Sequence, residues 1–407
     1  MKKWRRRTES PKIANRETQR RRRRRRSGLL LLLTAILLLG APLSLGAAQA
    51  VDTDGAPTPD CRSAILMEAS TGTVLMEMNA DEPLPPASVT KIMTLLLVME
   101  AVEEGRLHYE DTITASAYAC SMGGSQIFLK EGEQMSAEDL IKSVVIASAN
   151  DAAVALAEHL SGSEEAFVEQ MNQRARELGM SNTSFENTNG LDDTATNHVA
   201  SARDIALMSR ELIKHQKIME YSSIWMDSIR NGAFGLTNTN RLVRFYRGAT
   251  GLKTGSTAKA GFCVSATATR DGMTLICVIM GASTRDIRNA SATALLDYGF
   301  ANFTVYSHEG GTVRDLEVKG GLEERCEGNY PPFAMLVKKG EEKRVTESLE
   351  LPDAVVAPIK QGQTLGNVVY RLGEQELGRV PITATASVSE LCYGDLFRLL
   401  LRRILVF

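Results

Sequence analysis

The chain of 407 residues is long enough for two domains with additional segments at its ends. Its formal charge of −2 conceals an asymmetry. Residues 1–27 contain 14 basic and 2 acidic residues, a net charge of +12, whereas the remainder contains 33 basic and 47 acidic residues, a net charge of −14. An arginine run at residues 20–26 is a pattern found in nucleic-acid-binding proteins. The segment that follows this run argues against nucleic acid as a partner.

Residues 28–40 are almost entirely Leu, Ile and Ala, and a stretch of small residues after them ends in Ala48-Gln49-Ala50. A basic region, a short apolar region and an Ala-x-Ala site together are typical of a secretory signal, here cleaved after Ala50. An uncleaved membrane anchor is the alternative, because residues 28–50 are just long enough to span a bilayer. We therefore expect residues 1–50 to be a signal peptide and the protein to be exported.

A helical segment that begins after Pro85-Pro86 carries the first candidate for chemistry. The segment is apolar on nearly every face, which is typical of a buried helix. Ser88 and Lys91 lie three residues apart in its first turn, so their side chains share one face. A lysine can activate a serine as a base if burial, the helix macrodipole or a second cation lowers its pKa. Ser256 and Lys259 have the same spacing, so this motif alone does not identify an enzyme.

Residues 63–77 have the pattern of two strands joined at Ser70-Thr71-Gly72. The next long helical pattern, residues 136–160, is interrupted at residues 148–151. Ser148 and Asn150 flank an alanine inside an apolar segment, and both compete for backbone hydrogen bonds. This predicts a turn that holds polar side chains in a cleft. The alternative is a junction of two helices in which Asn150 or Asp151 caps the second.

The chain from residue 164 to residue 300 is predicted to alternate between helices and strands. Ser201 and Asp204 form a capping-box pattern at a helix start, and we interpret His198, just before it, as structural. A loop or short hairpin at residues 238–251, which contains Arg241, leads into Lys253-Thr254-Gly255. The other predicted elements are helices at residues 164–178 and 290–300 and a hairpin of residues 262–270 and 273–281 around Asp271-Gly272.

Six cysteines in an exported chain raise the question of disulfides. In the predicted hairpin register, Cys263 faces Met280 and Cys277 faces Ala266. The two cysteines are then out of step and on opposite faces, so a bridge between them would require backbone movement. We predict that the cysteines are mostly free and buried. No Cys/His cluster has the spacing of a zinc site, and we expect no metal.

The pattern changes near residue 305. Residues 313–388 form short alternating runs separated by Gly, Pro and Asn, which predicts a small all-β domain. We assign this domain a role in spacing or partner binding rather than in catalysis. The last residues, 391–407, form an amphipathic helix with Arg398, Arg402 and Arg403 opposite an apolar face. It is too short to span a bilayer and suits an anionic membrane surface. A terminal helix packed on its own domain is the alternative.

Three motifs stand in order along the chain: Ser88-x-x-Lys91, Ser148-x-Asn150 and Lys253-Thr254-Gly255. This set is typical of class A β-lactamases and penicillin-binding proteins. More closely, the chain resembles the D-alanyl-D-alanine carboxypeptidases, the low-molecular-mass penicillin-binding proteins of bacteria, over nearly the whole predicted mature chain. Thr250 and Thr188-Asn189 depart from the family pattern. Further matching segments are Gly123-Gly124-Ser125, Gly132-Glu133, residues 148–152, residues 185–191, residues 201–204 and residues 251–257.

The resemblance implies an α/β (α+β) fold of the penicillin-recognising serine transpeptidase/β-lactamase-like class, with an antiparallel sheet flanked by helices, followed by a small all-β sandwich domain. We expect a signal peptide at 1–50, a catalytic domain at 51–305, the all-β domain at 306–390 and a membrane-anchoring helix at 391–407. The protein is expected at the outer face of the cytoplasmic membrane, attached peripherally to the anionic surface through the last helix.

The implied activity is removal of the terminal D-alanine from peptidoglycan stem pentapeptides through a covalent ester, with β-lactams as covalent inhibitors and no cofactor. Catalytic roles fall to Ser88 as nucleophile, Lys91 as base, Ser148 as proton relay and Asn150 as orienting residue. The resemblance places the oxyanion at the backbone N–H groups of Ser88 and Ser256 and the substrate carboxylate at Lys253, assisted by Thr254 and Arg241. Gly255 is also assigned to substrate binding, and Arg288 is a weaker member of the cationic cluster.

Two alternatives stay open at this stage. A serine β-lactamase is one, although the chain has no obvious deacylating glutamate and carries an additional β domain and tail. A non-catalytic cell-wall-binding scaffold on the same fold is the other, and the intact pair of Ser88 and Lys91 argues against it. Labelling with a fluorescent penicillin distinguishes the three functions.

Overall fold

The computed structural model describes residues 55–192 and 195–405, except for the side chains of residues 399 and 402–405. The predicted signal peptide lies outside the described residues. Up to Ala282, the described strands are β1 (Ser63–Glu68), β2 (Val74–Met78), β3 (Thr112–Thr114), β4 (Gln134–Ser136), β5 (Met226–Ile229), β6 (Phe234–Thr237), β7 (Ala249–Thr257), β8 (Gly261–Arg270) and β9 (Met273–Ala282).

An antiparallel five-stranded sheet with the order β2-β1-β9-β8-β7 forms the centre of this part of the chain. Successive side chains of a strand point to opposite faces, and both faces of this sheet are apolar. Ile65 contributes to one hydrophobic core and Leu66 to another. The sheet therefore has to be covered on both sides.

Helices provide this cover. They are α1 (Lys91–Glu103), α2 (Ala117–Cys120), α3 (Ala137–Lys142), α4 (Asn150–Ser161), α5 (Glu164–Glu177), α6 (Ala202–Leu212), α7 (Gln216–Ser222), α8 (Leu242–Phe245) and α9 (Arg285–Asn302). The larger core contains Ile92 and Leu96 of α1, and the smaller core contains Leu295 and Leu296 of α9. Helix α1 is buried on almost all sides, as the sequence predicts.

From Phe303 up to the last helix, the described chain forms strands and one short 3-10 helix, Glu342–Arg344. These strands are β10 (Phe303–His308), β11 (Gly311–Lys319), β12 (Arg325–Tyr330), β13 (Phe333–Lys338), β14 (Val345–Glu350), β15 (Val355–Val356), β16 (Thr364–Leu372) and β17 (Gln375–Ala384). Strands β10 and β13 form a pair, and the other six form a sheet with the order β14-β16-β17-β12-β11-β15. The predicted fold class, a helix-flanked antiparallel sheet followed by a small all-β part, is confirmed.

Several local predictions need correction. The helix predicted at residues 290–300 begins earlier, at Arg285, because the side chain of Thr284 caps it by accepting a hydrogen bond from the Ile287 backbone N–H. The segment predicted as a loop or hairpin at residues 238–251 contains the short helix α8. Neither Asn150 nor Asp151 caps α4, whose N-cap residue is Ala149.

The cysteine predictions are partly confirmed. All six thiols are free, but Cys392 is exposed, and only three of the six are buried. Ala266 pairs with Cys277, as predicted. The predicted pairing of Cys263 with Met280 is replaced by a bulge, because the register shifts between Phe262 and Val264. Cys263 and Cys277 belong to different cores, on opposite faces of the sheet.

The last helix, α10 (Tyr393–Leu405), presents apolar side chains to solvent. Tyr393 is 93% exposed and Phe397 is 64% exposed. These side chains are therefore not packed on the β-strands, which was the alternative to a membrane surface. Among the described residues, no helix combines the length and apolar character needed to cross a membrane.

Candidate active site

Ser88 lies in a tight turn that β7 approaches closely. The turn is a 3-10 helix, Ala87–Thr90, which continues directly into α1. A Cβ atom at Gly255 of β7 would lie 2.8 Å from the Ser88 backbone nitrogen and 2.9 Å from that of Val89. Only a glycine allows the strand to come this close, because a methyl group would collide with the backbone of the turn.

Lys91 reaches back to Ser88 across one turn. Side chains three residues apart are nearly eclipsed in a 3-10 helix, and the Lys91 Nζ lies 2.9 Å from the Ser88 Oγ. The same Nζ lies 2.5 Å from the Asn150 Oδ1 and 2.7 Å from the main-chain oxygen of Asn189. These three oxygens take up the hydrogen-bonding capacity of the amine.

The Lys91 amine has no carboxylate among these hydrogen-bond partners, and its side chain is buried. Burial holds the pKa of Lys91 well below its ordinary value, and the positive charge of Lys253 lowers it further, against an opposing effect of Asp151. A neutral amine fits the three contacts. Its two N–H groups donate to Asn150 and Asn189, and its lone pair accepts the proton of the Ser88 hydroxyl.

Ser148 and Asn150 approach the same point from the other side of the cleft. Helix α3 passes into a π-helical turn, Ser143–Ala147, and Ser148 has a left-handed backbone with φ of 63°. Such conformations are costly for a non-glycine residue and concentrate at functional sites. They confirm the predicted break in the helix. The Asn150 side chain also donates to the Gly123 main-chain oxygen, at 2.6 Å.

Lys253 contacts the Ser148 side chain directly. Its Nζ lies 2.7 Å from the Ser148 Oγ and 3.0 Å from the Thr254 main-chain oxygen. The side chain is buried, and burial together with the charge of Arg288 lowers the pKa of Lys253 to about 7. The Lys253 amine therefore contacts the serine of the second motif and interacts electrostatically with Arg288.

Asp151 organises the loop that closes one side of the site. Its buried carboxylate accepts hydrogen bonds from the backbone N–H groups of Ile127 and Leu129, at 3.2 and 3.0 Å, respectively. The Asn150 backbone N–H donates to the Ser125 oxygen at 2.7 Å. The segment after the second motif thus holds the loop in place through backbone contacts.

A chain of hydrogen bonds fixes the turn that contains Ser88, Ala87–Thr90. The Glu186 backbone N–H donates to the His198 Nδ1 at 2.9 Å, so the ring proton lies on Nε2. That Nε2 is 2.7 Å from the Thr90 Oγ1, which in turn donates to the Ala87 oxygen at 2.8 Å. Burial lowers the pKa of His198 to about 4, which keeps the ring neutral. His198 does not contact the reacting groups, in agreement with its predicted structural role.

Thr90 and His198 hold a strained backbone. Ala87 has a φ of 48°, unusual for a residue other than glycine. Gly190 packs against the Ala87 oxygen so closely that a Cβ atom there would overlap it. Ala87, immediately before Ser88, is therefore held from two sides, which fixes the direction of the Ser88 backbone and side chain.

A cavity with a volume of about 660 Å³ opens in front of these groups. Ser88 and Ser148 line its inner part, and aromatic side chains of Trp225 and Phe245 form part of its wall. Among the described residues, no Asp or Glu lines this cavity. The other lining residues are Ser125, Thr237, Asn238, Thr239, Arg241, Thr254, Gly255, Ser256, Arg285 and Arg288.

The structure brings the nine candidate residues from the three motifs and their surroundings to this cleft. Lys91 contacts Ser88 and Asn150, and Lys253 contacts Ser148. Arg241, Thr254, Gly255 and Ser256 line the cavity. Their assigned roles stay predictions. Within the described part of the chain, no group of three or more His, Cys, Asp or Glu side chains is arranged to hold a metal ion.

Sequence reasoning missed several participants. Asn189 was treated as a departure outside the motifs, yet its main-chain oxygen contacts the Lys91 amine. This contact does not depend on the Asn189 side chain. Trp225, Phe245 and Arg285 were not candidates. The sequence does contain a signal for the helix start at Arg285, because Thr284 is a typical N-cap residue three positions before Ile287.

Comparison with known proteins gives matches along most of the chain. A family profile for D-alanyl-D-alanine carboxypeptidase matches residues 50–284, and a profile for the penicillin-binding protein 5 C-terminal domain matches residues 308–390. The D-alanyl-D-alanine carboxypeptidase DacF of Bacillus subtilis (strain 168) is 43% identical over 332 residues, which cover 80% of this chain and 85% of that protein.

Solved structures agree with these matches. Penicillin-binding protein 5 from Haemophilus influenzae superposes with a TM-score of 0.73 at 31% identity, covering 82% of this chain and 99% of that chain. Penicillin-binding protein D2 from Listeria monocytogenes, in its ampicillin-bound form, superposes with a TM-score of 0.56 at 32% identity, covering 60% and 100%, respectively. The chain therefore belongs to the D-alanyl-D-alanine carboxypeptidase family of peptidases.

Proposed function

We propose that the protein is a serine-type D-alanyl-D-alanine carboxypeptidase that releases the terminal D-alanine of peptidoglycan stem pentapeptides. The contact of 2.9 Å between the Lys91 Nζ and the Ser88 Oγ carries this proposal. A buried amine with a lowered pKa accepts the hydroxyl proton at neutral pH, which makes the serine a nucleophile. A scaffold without turnover would not need this costly arrangement.

The substrate is recognised by its terminal carboxylate. The cavity is lined by cations and hydroxyl groups and, among the described residues, by no acid. Lys253, Thr254 and Arg241 take the carboxylate in this proposal, because an arginine and a lysine can both form charge-assisted hydrogen bonds to it. The scissile carbonyl, one residue upstream, then faces the Ser88 Oγ.

The reaction starts when the Ser88 Oγ attacks the carbonyl carbon of the penultimate D-alanine and Lys91 takes the hydroxyl proton. The oxyanion lies between the backbone N–H groups of Ser88 and Ser256. Ser148, which contacts Lys253, relays a proton to the leaving amine. The C–N bond breaks, free D-alanine leaves, and Ser88 carries the acyl group as an ester. Water then hydrolyses this ester.

A β-lactam follows the same first step, but its leaving amine stays attached to the acyl group. No carboxylate lines the described cavity that could activate a deacylating water efficiently. We therefore expect a long-lived adduct at Ser88 rather than rapid drug hydrolysis, which distinguishes this function from that of a serine β-lactamase. The ampicillin-bound relative from Listeria monocytogenes is consistent with this expectation.

We also propose that the protein acts outside the cytoplasm, at a membrane surface. Peptidoglycan is built outside the cytoplasmic membrane, and the N-terminal sequence has the pattern of an export signal. Helix α10 exposes Leu396, Phe397 and Leu400 together with Arg398, a combination that suits the headgroup region of an anionic bilayer. The domain boundaries at residues 50, 305 and 390 are part of this proposal.

The proposed function predicts the loss of activity in two variants. Ser88→Ala leaves no atom for the ester, so D-alanine release from a soluble pentapeptide and labelling by fluorescent penicillin should both disappear. Lys91→Ala should slow acylation by about 10³-fold, in the range expected for loss of a general base. The control is Lys259→Ala, the exposed lysine of the second Ser-x-x-Lys match, with unchanged rates.

Two results would contradict the proposal. Absence of a penicillin adduct on the folded, unmodified protein would favour the scaffold function. Rapid release of hydrolysed drug, without D-alanine release from the peptide, would favour a β-lactamase.

Replacement of Lys253 should shift the pH profile of acylation. Acylation requires neutral Lys91, so the rate rises with pH through the pKa of Lys91. Lys253→Met removes a positive charge that lowers this pKa, so the pKa should rise and the acidic limb should move to higher pH. Stopped-flow measurement of penicillin acylation between about pH 5 and 10 gives the limb.

The matched control for this experiment is Arg247→Gln, which removes one charge at an exposed position outside the cavity. Its limb should coincide with that of the unmodified protein. A Lys253→Met limb that stays in place, or moves to lower pH, would show that Lys253 does not tune the base.

Loss of the Thr90 hydroxyl should slow acylation while leaving the fold intact. Thr90→Val breaks the link between His198 and the Ala87 oxygen, so the nucleophile loses its orientation, at a cost of about 10- to 100-fold in the acylation rate constant. The non-covalent dissociation constant should not change, and Thr90→Ser should restore the rate. Equal acylation rates in the Val and Ser variants would refute this positioning role, and thermal unfolding of both checks the fold.

Truncation after Leu391 should release the protein from membranes. Sedimentation with vesicles that contain anionic lipid should recover the full chain and leave the truncated chain in solution. The truncated protein should keep its activity on a soluble peptide, because the cavity lies entirely before residue 289. Equal sedimentation of the two proteins would contradict the proposed role of α10.

A further inference from the structure

The cavity contains more positive charge than a single carboxylate can balance. Arg241, Arg285 and Arg288 line it, and the amine of Lys253 lies beside Ser148 at its inner end. No Asp or Glu of the described chain is among the lining residues. Asp286, in the first turn of α9, is exposed and does not line the cavity. A leaving D-alanine carries one carboxylate only.

Two of these cations are already engaged. Lys253 donates to Ser148 and to the Thr254 main-chain oxygen. The guanidinium of Arg288 is buried and donates to the Asn289 side chain at 2.9 and 3.1 Å and to the Cys263 oxygen at 3.3 Å. Arg288 is therefore fixed in place and contributes to the site mainly through its charge.

The other two guanidinium groups are exposed and available. Neither Arg241 nor Arg285 forms a side-chain hydrogen bond or an ion pair with another residue in the described part of the chain. Both lie near Arg288, whose pKa is lowered to about 10 by burial and then by the charges of Arg285 and Arg241. Two free guanidinium groups on one cavity wall repel each other and Arg288 until anions bind.

One carboxylate can engage one guanidinium in a bidentate contact. The proposed function assigns the α-carboxylate of the leaving residue to Lys253, Thr254 and Arg241, and this leaves Arg285 without a ligand group. Arg285 is the first residue of α9, so it reaches the cavity from a rigid helix. The cavity of about 660 Å³ has room for a longer leaving residue than D-alanine, with Trp225 and Phe245 as an apolar wall for its methylene groups.

We propose that Arg285 forms a second anion subsite on the leaving-group side of the cavity, which binds a carboxylate on the side chain of the C-terminal D-residue. The inference rests on the proposed function. It extends the substrate class to peptides that end in D-Ala followed by an acidic D-amino acid such as D-glutamate. The hydrolysis itself is unchanged: water supplies the hydroxyl group to the D-alanyl carbon and a proton to the leaving amine.

The test compares three acyl-peptides that end in D-Ala-D-Ala, D-Ala-D-Gln and D-Ala-D-Glu. Gln and Glu have the same size and differ in charge, so their ratio isolates the second carboxylate. We expect kcat/KM for the D-Glu peptide to exceed that for the D-Gln peptide about 10-fold, which corresponds to about 1.4 kcal/mol. Arg285→Gln should reduce this ratio to about 1 and leave the D-Ala-D-Ala rate within about 2-fold.

Arg247→Gln is the matched control, since it removes the same charge outside the cavity and should preserve the ratio. A second readout does not require turnover. Calorimetric binding of the D-Glu and D-Gln peptides to the Ser88→Ala protein should show the same preference for D-Glu. This preference should disappear in the double variant that combines Ser88→Ala with Arg285→Gln. Equal rates for the two peptides in the unmodified protein would overturn the subsite, as would an equal effect of Arg285→Gln on both.

The outcomes separate the two proposals. Absence of D-alanine release from the D-Ala-D-Ala peptide would refute the proposed function, and the binding measurement would still decide on the anion subsite. Normal D-alanine release without any preference for D-Glu would refute the subsite alone. A preference that survives in Arg285→Gln but is lost in Arg247→Gln would show that long-range charge, and not the subsite, determines it.

Discussion

The structure depends on one unusual condition, a lysine amine that is buried next to a serine and has no carboxylate among its hydrogen-bond partners. A buried ammonium without a counterion is costly. Burial in an apolar helix and the nearby charge of Lys253 lower the pKa of Lys91, which favours the neutral amine. The three oxygens around the amine match the two donors and one lone pair of the neutral form. Burial of Lys91 lowers its pKa, which in the proposed mechanism allows the amine to act as a base.

The groups around this amine come together because two backbone segments, at Gly255 and Gly190, lie directly against the turn that contains Ser88. Gly255 lets β7 come against the Ser88 turn, and Gly190 lets the Asn189 loop come against Ala87. Ala87, which contacts Gly190, and Ser148, which contacts Lys253 of β7, have positive φ angles that residues other than glycine rarely adopt. The surrounding hydrogen bonds over-determine both conformations, so the strain is retained where it orients the reacting atoms.

The parts of the site that sequence reasoning predicted are those that local spacing determines. Ser88 and Lys91 meet because three residues separate them, and the break at Ser148 shows in the polar residues inside an apolar pattern. Contacts through the main chain carry no sequence signal, so the Asn189 oxygen was missed. The bulge at Cys263 was missed for a related reason. It depends on how β8 and β9 meet at the end of the sheet, and residue types do not encode that register.

In the proposed mechanism, the positive charge of Lys253 affects both the proton affinity of Lys91 and the binding of the substrate carboxylate. Before a substrate binds, burial and the charge of Lys253 both lower the pKa of Lys91, which favours a neutral amine that can accept a proton. A carboxylate that binds at Lys253 offsets this positive charge and raises the proton affinity of Lys91. The amine therefore becomes a stronger base only when a ligand with a correctly placed carboxylate is present. In this mechanism, selectivity for substrates with a C-terminal carboxylate depends on the activation of Ser88 as well as on direct binding.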